Sequence, residues 1–250
     1  MNLTITPVRG VPAVHPGDDL AALLLAALAA NGPAPVTGDV LVVCQKVVSK
    51  AEGRVVHLDT VVPSAFARQI AATTQGKDPR IVEVILRETT RIVRMDRGHL
   101  IVETGPGWVC ANAGVDESNS LGPDTLILLP LDADASARRL RAAVAARTGA
   151  DLAVIITDTF GRPWREGLVD FALGLAGITA HRDHRGEHDL IGRELHHTVM
   201  AQADALAAAA GLVMGKADGV PAALVHGYAF TPADGSGRDL LRAREFDLFR

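Results

Sequence analysis

The order of apolar and polar residues predicts a chain of mixed helices and strands. Asp18 and Asp19 precede an apolar stretch that stops at residues 31–33 (Asn-Gly-Pro), as expected of a helix with acidic residues at its N-terminus. Helical periodicity also covers 64–74, 79–95, 136–147 and 195–214. A buried strand is predicted at 39–48, and further strands are predicted at 100–103, 108–111, 124–129, 152–156 and 222–225. Because helices and strands are mixed, and residues 105–107 (Gly-Pro-Gly) are a hairpin signal, the predicted fold class is α+β (mixed α/β).

The size and composition of the chain indicate a folded protein with a sizeable core. The chain has 250 residues, of which 48% are hydrophobic and 22% charged, so it is not a disordered protein. Residues 1–230 are predicted to form one domain, and the polar, charged residues 231–250 a C-terminal tail or connector. The formal net charge of -4 argues against nucleic acid as the main partner.

The sequence predicts neither a membrane anchor nor a secretion signal. The longest apolar run, 21–30, has half the length that a membrane span needs, and the first residues lack a basic region followed by an apolar stretch. Cys44 and Cys110 are too few for a disulfide framework or a cysteine-rich zinc site, and they are predicted to be core residues. We therefore expect a cytoplasmic protein.

Residues 157–167 combine an acid, hydroxyl groups, glycine and two arginines directly after a predicted strand. Asp158 and Thr159 can offer oxygen ligands to Mg²⁺ or Mn²⁺ at the end of that strand. Arg162 and Arg165 can bind phosphate or carboxylate oxygens with two N–H groups at once. The alternative interpretation is a strand-to-loop transition with a turn and a surface ion pair.

A second polar group follows the predicted strand at 108–111. Small residues would let a ligand approach the backbone there, while Asp116 and Asn119 offer a carboxylate and an amide. Together with Asp158, Asp116 could hold Mg²⁺ against the phosphates of a nucleotide. The alternative interpretation is a turn in which a polar side chain caps the strand.

Two further segments carry lysines in positions that suit phosphate. Lys46 and Lys50 are interleaved with apolar residues at the end of a predicted buried strand, where a lysine would be a point charge for phosphate; the alternative is a solvated strand end. Residues 211–216 resemble a phosphate-binding loop. They do not meet the Walker A pattern, because the spacing between the glycines is one residue short and no Ser or Thr follows Lys216. A nucleotide would therefore be bound by a structure other than a Walker A loop.

Six groups of residues occur in the same order as in one known enzyme family. They are GVP with PGDDL (10–20), VVSKAEGR (47–54), AGVD with SN (113–119), LPLD with DASA (129–137), IITDT with GR (155–162) and DL with GREL (189–195). With these motifs the chain resembles the coenzyme F-420 gamma-glutamyl ligase family over roughly residues 7–227. Several long motifs in order are far more specific than any one of them alone.

The resemblance implies an enzyme, a GTP-dependent coenzyme F-420-0:L-glutamate ligase. GTP would activate a carboxylate of the deazaflavin coenzyme precursor as an acyl-phosphate, and the amino group of L-glutamate would attack it. The products would be an amide, GDP and phosphate, and further gamma-linked glutamates could follow. The resemblance also implies a gamma-glutamyl ligase-like fold, an intertwined homodimer, and Mg²⁺ or Mn²⁺ as cofactor, with K⁺ as an additional candidate.

The resemblance also implies site residues, although it identifies no general base. The metal positions fall on Asp116, Asp158 and Thr159. The GTP contacts fall on Val11, Pro12, Ala13, Val14, Gln45, Lys46, Lys50, Asn119, Gly215, Lys216, Ala217, Asp218, Gly219 and Val220. Two positions depart from the family pattern. Gln45 replaces a small hydroxyl residue, and Lys216 replaces an acidic one, so a second metal ion held from that loop is not implied.

Two alternatives predict a different chemistry. A metal-dependent nucleotide phosphohydrolase that uses Asp116 and Asp158 would release phosphate without glutamate or deazaflavin. A non-catalytic deazaflavin-binding module would bind the coenzyme without turning over GTP. The second alternative is suggested by residues 231–250, which resemble the connector of two-domain relatives that carry a nitroreductase-like flavin domain. The intact Asp116, Asn119, Asp158, Thr159 and Lys50 argue against the binding module, because such a module has no need for a metal site.

Overall fold

The structure is a computed structural model that describes residues 2–74 and 76–248; residues 1, 75, 249 and 250 of the predicted domain and tail lie outside the described residues. The helices are α1 (Leu20–Asn31), α2 (Gln45–Ala51), α3 (Ala65–Thr73), α4 (Pro79–Arg87), α5 (Ala133–Thr148) and α6 (Gln202–Met214). The strands are β1 (Thr4–Pro7), β2 (Val40–Cys44), β3 (Val55–His57), β4 (Thr89–Asp96), β5 (His99–Thr104), β6 (Val109–Ala111), β7 (Thr125–Ile127), β8 (Ala153–Arg162), β9 (Arg165–Ala176), β10 (Arg182–Asp183), β11 (Val199–Met200) and β12 (Ala222–His226). None of the described helices is long and apolar enough to cross a membrane.

The central sheet has five strands in the order β1–β12–β2–β8–β9. β2 and β8 are parallel neighbours, and every other pair in this sheet is antiparallel. Leu41 and Val43 of β2 pack in one apolar cluster with α1 and α5, whereas Val40 and Val42 pack in another with α6. Because both faces of the sheet are covered, β2 is a continuous apolar run instead of an alternating one.

A smaller region of helices and antiparallel strands comes between β2 and β8 in the sequence. It contains the sheet β4–β5–β6 and the pair β3–β7. Ile81 and Ile85 of α4 pack with Leu100 and Val102 of β5. The predicted hairpin around residues 105–107 is confirmed, since β5 and β6 are paired. The prediction of a mixed α+β protein is also confirmed.

The predicted strand at 39–48 is wrong in its second half. β2 ends at Cys44, and α2 begins at the next residue. Val47 and Val48 lie on this helix, and they are buried in the apolar cluster that contains residues of α1. Adjacent valines suit a strand by intrinsic preference, and here tertiary packing overrides that preference.

Three other predicted boundaries also differ from the structure. The helix predicted at 79–95 ends at Arg87, because the β-branched residues that follow form β4 instead. The helix predicted at 195–214 begins only at Gln202, because β11 pairs with β10 before it. The strand predicted at 152–156 continues to Arg162, because it forms a long hairpin with β9, which was not predicted.

The described part of the predicted tail packs against the body of the protein. Ser236 Oγ and the Gly237 N–H donate to the carboxylate of Asp134 at 2.5 and 2.9 Å. A Cβ on Gly237 would lie 2.1 Å from the carbonyl oxygen of Leu173, so only glycine allows the segment to approach β9 this closely. The division of the chain at residue 230 stays a prediction.

Candidate active site

Four of the predicted site segments meet at one edge of the central sheet. Cys44, the last residue of β2, is paired with Thr157 of β8. The N–H of Cys44 donates to the carbonyl of Pro221, just before β12, at 2.8 Å. The N–H of Val8, just after β1, donates to the carbonyl of Ala222 at 2.8 Å. The start of α2, the continuation of β8 and the loops next to β1 and β12 therefore share this edge.

A break in the register between β8 and β9 lies at the same edge. Ile156 is paired with Gly174. The next residue, Thr157, is paired with Ala172, so β9 contains one extra residue at this point. Such a bulge bends the strand and increases its twist, and bulges are common beside active sites. The bulge lies opposite Ile156 and Thr157, immediately before Asp158.

Lys46 and Asp116 form an ion pair beside this edge. Lys46 is the second residue of α2, and its Nζ lies 2.6 Å from Asp116 Oδ2 and 2.6 Å from Ser118 Oγ. The Ser118 N–H donates to Asp116 Oδ1 at 2.6 Å. Burial acts to raise the pKa of Asp116, but the hydrogen bonds from Lys46 and Ser118 outweigh it and lower that pKa below its ordinary value. Asp116 is therefore a charged carboxylate at neutral pH.

Asp158 has the opposite electrostatic environment. Burial raises the pKa of its carboxyl to about 6. The Thr159 N–H and the charge of Lys46 oppose this rise, the charge of Asp116 adds to it, and the charge of Lys216 opposes it again. Lys46, Asp116 and Lys216 thus all act on Asp158, and the four side chains form one electrostatic group around it. Two nearby carboxyls whose pKa values are shifted in opposite directions are typical of active sites.

Thr159 has different partners from Asp158. Its Oγ1 donates to Asp170 Oδ1 on β9 and also contacts Nζ of Lys216. Lys216 Nζ lies 3.1 Å from Asp170 Oδ1 as well. Successive side chains of a strand point to opposite faces, which accounts for the different surroundings of the two neighbours on β8.

Asp170 is a site residue that the sequence reasoning missed. Its side chain is only 7% exposed, and it receives hydrogen bonds from Thr159 and Lys216. A signal was present, because Asp170 is the only acid between apolar neighbours at 168–173. A carboxylate buried in such a run requires a cation or hydrogen-bond donors beside it.

Two further predicted GTP contacts, Lys50 and Gln45, also lie on α2. Lys50 lies four residues after Lys46, on the same face of the helix, and burial lowers its pKa. Gln45 is 1% exposed, and its Oε1 accepts a hydrogen bond from Ser49 at 2.9 Å. Its Nε2 is buried and has no partner within the described residues. Both contacts stay predictions.

The other predicted GTP contacts lie on loops around the same edge. In the loop after β1, Pro12 and Ala13 are exposed and Val14 is buried. Asn119 is exposed and follows the serine that binds Lys46. The loop 215–220 begins with a glycine at φ 61, and a Cβ there would lie 2.0 Å from a carboxylate oxygen of the same loop. This backbone is available to a ligand, and its contact with GTP stays a prediction.

Arg162 and Arg165 lie farther out, at the turn of the β8–β9 hairpin. Arg162 is three residues beyond Thr159, roughly 10 Å along the strand. Its Nη2 donates to the carbonyl of Glu166 at 2.8 Å. Its Nε is buried without a partner in the described part of the chain. The structure does not bring these arginines into the group formed by Asp116 and Asp158, and their role with anions stays a prediction.

The oxygen donors at the edge suit a hard divalent cation. Asp116 and Asp158 supply carboxylates, which Mg²⁺ and Mn²⁺ prefer, whereas the Thr159 hydroxyl is held by Asp170 and Lys216. Among residues 2–74 and 76–248 no group of three or more His, Cys, Asp or Glu side chains could hold a metal ion. That Asp116 and Asp158 hold a cation stays a prediction.

Comparison with known proteins agrees with the motifs. The family model described as F420-0:Gamma-glutamyl ligase matches residues 10–227. The chain belongs to this family. It is 47% identical over 253 residues to the coenzyme F420:L-glutamate ligase of Methanothermobacter thermautotrophicus, with 100% of both chains covered. Proteins of the same name from Methanopyrus kandleri and Archaeoglobus fulgidus are 48% and 43% identical, covering 99% and 100% of this chain and 98% and 97% of theirs.

Membership of the F420-0:gamma-glutamyl ligase family confirms two predictions made from the motifs, the family itself and the class of enzyme, a ligase. The matched segment contains all of the predicted metal and GTP positions. The electrostatic group around Asp116 and Asp158 thus lies inside the part of the chain that defines the family.

Proposed function

We propose that the chain is a GTP-dependent ligase that joins L-glutamate to the deazaflavin coenzyme F420 precursor through an amide bond, with release of GDP and phosphate. The observation that carries this proposal is the Lys46–Asp116 ion pair beside Asp158 at one sheet edge, in a chain whose full-length relatives are named coenzyme F420:L-glutamate ligase. A ligase of this kind needs positive charge and a metal close together, because it must place a nucleotide and two further substrates.

The proposed route passes through an acyl-phosphate. The γ-phosphoryl group of GTP passes to a carboxylate oxygen of the precursor, and GDP leaves. The amino nitrogen of L-glutamate then attacks the acyl carbon, phosphate leaves, and the nitrogen loses a proton. Lys46 and Lys50 supply positive charge from one face of α2, where the negative phosphates would bind. Repetition of the cycle would add further gamma-linked glutamates.

In this proposal Asp116 and Asp158 hold Mg²⁺ or Mn²⁺, with Thr159 as the third predicted ligand and K⁺ as a further candidate cation. A bound divalent cation would neutralise charge on the phosphate oxygens. Asp116 is kept charged by Lys46, whereas Asp158 is fully charged only above about pH 6 because of its raised pKa. We therefore expect metal affinity to fall as the pH is lowered through about 6.

The proposal includes a gamma-glutamyl ligase-like fold and an intertwined homodimer. Trp164 and Leu168 on the β8–β9 hairpin, and Leu190 and Ile191 beyond it, are large apolar side chains that are 67% or more exposed. Exposed apolar groups of this kind mark surfaces that a partner covers. Sedimentation velocity on the chain and on Leu168→Asp would test whether the hairpin belongs to a dimer interface.

Phosphate release from GTP, with the products followed by mass, tests the proposed reaction. It is measured with Mg²⁺ or Mn²⁺, with and without the deazaflavin precursor and L-glutamate. We expect release only when both co-substrates are present, together with a glutamyl mass gain. Release from GTP alone would indicate the phosphohydrolase instead. Binding of deazaflavin without GTP turnover would indicate the non-catalytic module.

A further inference from the structure

A cleft of about 400 Å³ lies next to the candidate active site and contains none of its predicted metal or GTP residues. Three arginines line it, Arg54, Arg87 and Arg238, and the lining contains a single carboxylate, Glu88. Arg54 Nη2 donates to Glu88 Oε2 at 2.7 Å, so this acid is already neutralised. The cleft is therefore positively charged overall.

The three arginines are held in different ways. Arg54 is largely buried, and its Nε donates to the carbonyl of Leu129 at 2.9 Å, which fixes its guanidinium in the wall of the cleft. Arg87 is half-exposed, and its Nε lies 3.2 Å from Glu83, which does not line the cleft. Arg238 is exposed and forms no ion pair with any residue that the structure describes. Arg238 is thus the arginine that is most available to a ligand.

The cleft begins close to Asp116. Ala113 lines the cleft and lies three residues before that acid. Leu129 also lines it, two residues after Ile127, whose backbone exchanges hydrogen bonds of 3.0 and 2.9 Å with Asp116. Two residues of a strand span roughly 7 Å. A ligand that reacts beside Asp116 could therefore reach the cleft with a short extension.

We infer that this cleft binds the gamma-linked glutamate chain of the coenzyme, an inference that rests on the proposed function. Each gamma-linked residue carries one free α-carboxylate and adds roughly 6 Å to the chain, so one or two residues would reach from Asp116 to the side of the cleft formed by Ala113 and Leu129. Guanidinium groups bind carboxylates through two parallel hydrogen bonds. Free L-glutamate offers the same carboxylate chemistry, but it would fill only part of this volume.

The substitution Arg238→Gln tests the inference, with Arg242→Gln as the matched control. Both residues are exposed arginines of the same C-terminal segment, but only Arg238 lines the cleft. KM is measured for the unglutamylated precursor, the monoglutamylated coenzyme, GTP and L-glutamate, and product lengths are measured by mass. We expect Arg238→Gln to raise KM for the monoglutamylated coenzyme roughly fivefold, and to shorten the products, with the other values unchanged. Arg242→Gln should behave like the unsubstituted chain.

Three results would overturn the inference. One is an unchanged KM for the monoglutamylated coenzyme in Arg238→Gln, and another is an equal rise in Arg242→Gln, which would indicate a general charge effect. The third is a selective rise in KM for L-glutamate, which would assign the cleft to the free amino acid. An unsubstituted chain that adds no glutamate to either substrate is a different result, and it would refute the proposed function itself.

Discussion

Replacing Asp158 by asparagine should make the metal-free protein more stable at neutral pH and at the same time inactive. The carboxyl is half-buried, and burial raises its pKa to about 6. Ionising this group is therefore unfavourable in the folded protein. Asparagine keeps nearly the same shape but carries no charge, so it removes the unfavourable ionisation together with the charged metal ligand.

The direction and size of the effect follow from the two pKa values. The carboxyl ionises near 3.8 when it is not shifted and near 6 in the folded chain. Between these values the unfolded chain releases the proton while the folded chain keeps it, so stability is complete below the lower value and falls as pH rises to the upper one. At about 1.4 kcal/mol for each pH unit the loss is roughly 3 kcal/mol, and we expect about 2 kcal/mol because water still reaches part of the group.

Urea unfolding of the unsubstituted chain and of Asp158→Asn, from about pH 4 to about pH 8 with EDTA, measures this loss. The difference in free energy of unfolding should be close to zero at the acidic end and should favour Asp158→Asn by about 2 kcal/mol at the basic end. Asp234→Asn, which removes an exposed carboxylate, is the control and should show no such trend. A difference that does not change with pH, or a variant that is less stable at pH 8, would refute the reasoning. Near-normal metal-dependent turnover in Asp158→Asn would refute its assignment as a ligand.

Three further substitutions test other parts of the structure. Lys50→Ala should raise KM for GTP roughly tenfold in steady-state kinetics, and an unchanged nucleotide affinity would exclude its phosphate role. Lys46→Met should reduce kcat at least roughly tenfold at neutral pH, because it removes the cation paired with Asp116; a normal kcat would show that this ion pair is only structural. Gly174→Ala should destabilise the protein by about 3 kcal/mol in urea unfolding, because the Cβ would lie 2.2 Å from the backbone of α5. Gly105→Ala, which meets open space, should change stability by less than about 0.5 kcal/mol and is the control.

Elements that carry their own start and stop signals could be predicted from the sequence. The Asp19 side chain accepts a hydrogen bond from the N–H of Ala22 and so caps α1, which begins at the next residue. Gly149 ends α5 in the left-handed conformation that glycine favours. The hairpin between β5 and β6 turns at the expected glycines. In each case a local interaction determines the boundary, so a local pattern is sufficient to find it.

Boundaries that depend on distant partners could not be predicted in this way. β8 continues past Ile156 only because β9 pairs with it, and the residues of β9 carry no alternating pattern that announces this partner. Asp170 lies on that missed strand, and for this reason the hydrogen bonds that link it to Thr159 and Lys216 were missed too. Motif matching found the acids and lysines of the site, but not the way in which they divide between the two faces of β8.

The boundary between β2 and α2 has the greatest chemical consequence, because it determines how far apart two lysines lie. If the predicted strand continued to Lys50, Lys46 and Lys50 would be roughly 13 Å apart. On α2 they are neighbours on one face, roughly 6 Å apart. Burial is the main reason that the pKa of Lys50 is lowered, and the positive charge of Lys46 lowers it further. An anion bound against this face would offset both effects, so we expect the lysines to bind phosphate better from α2 than they would from an extended segment.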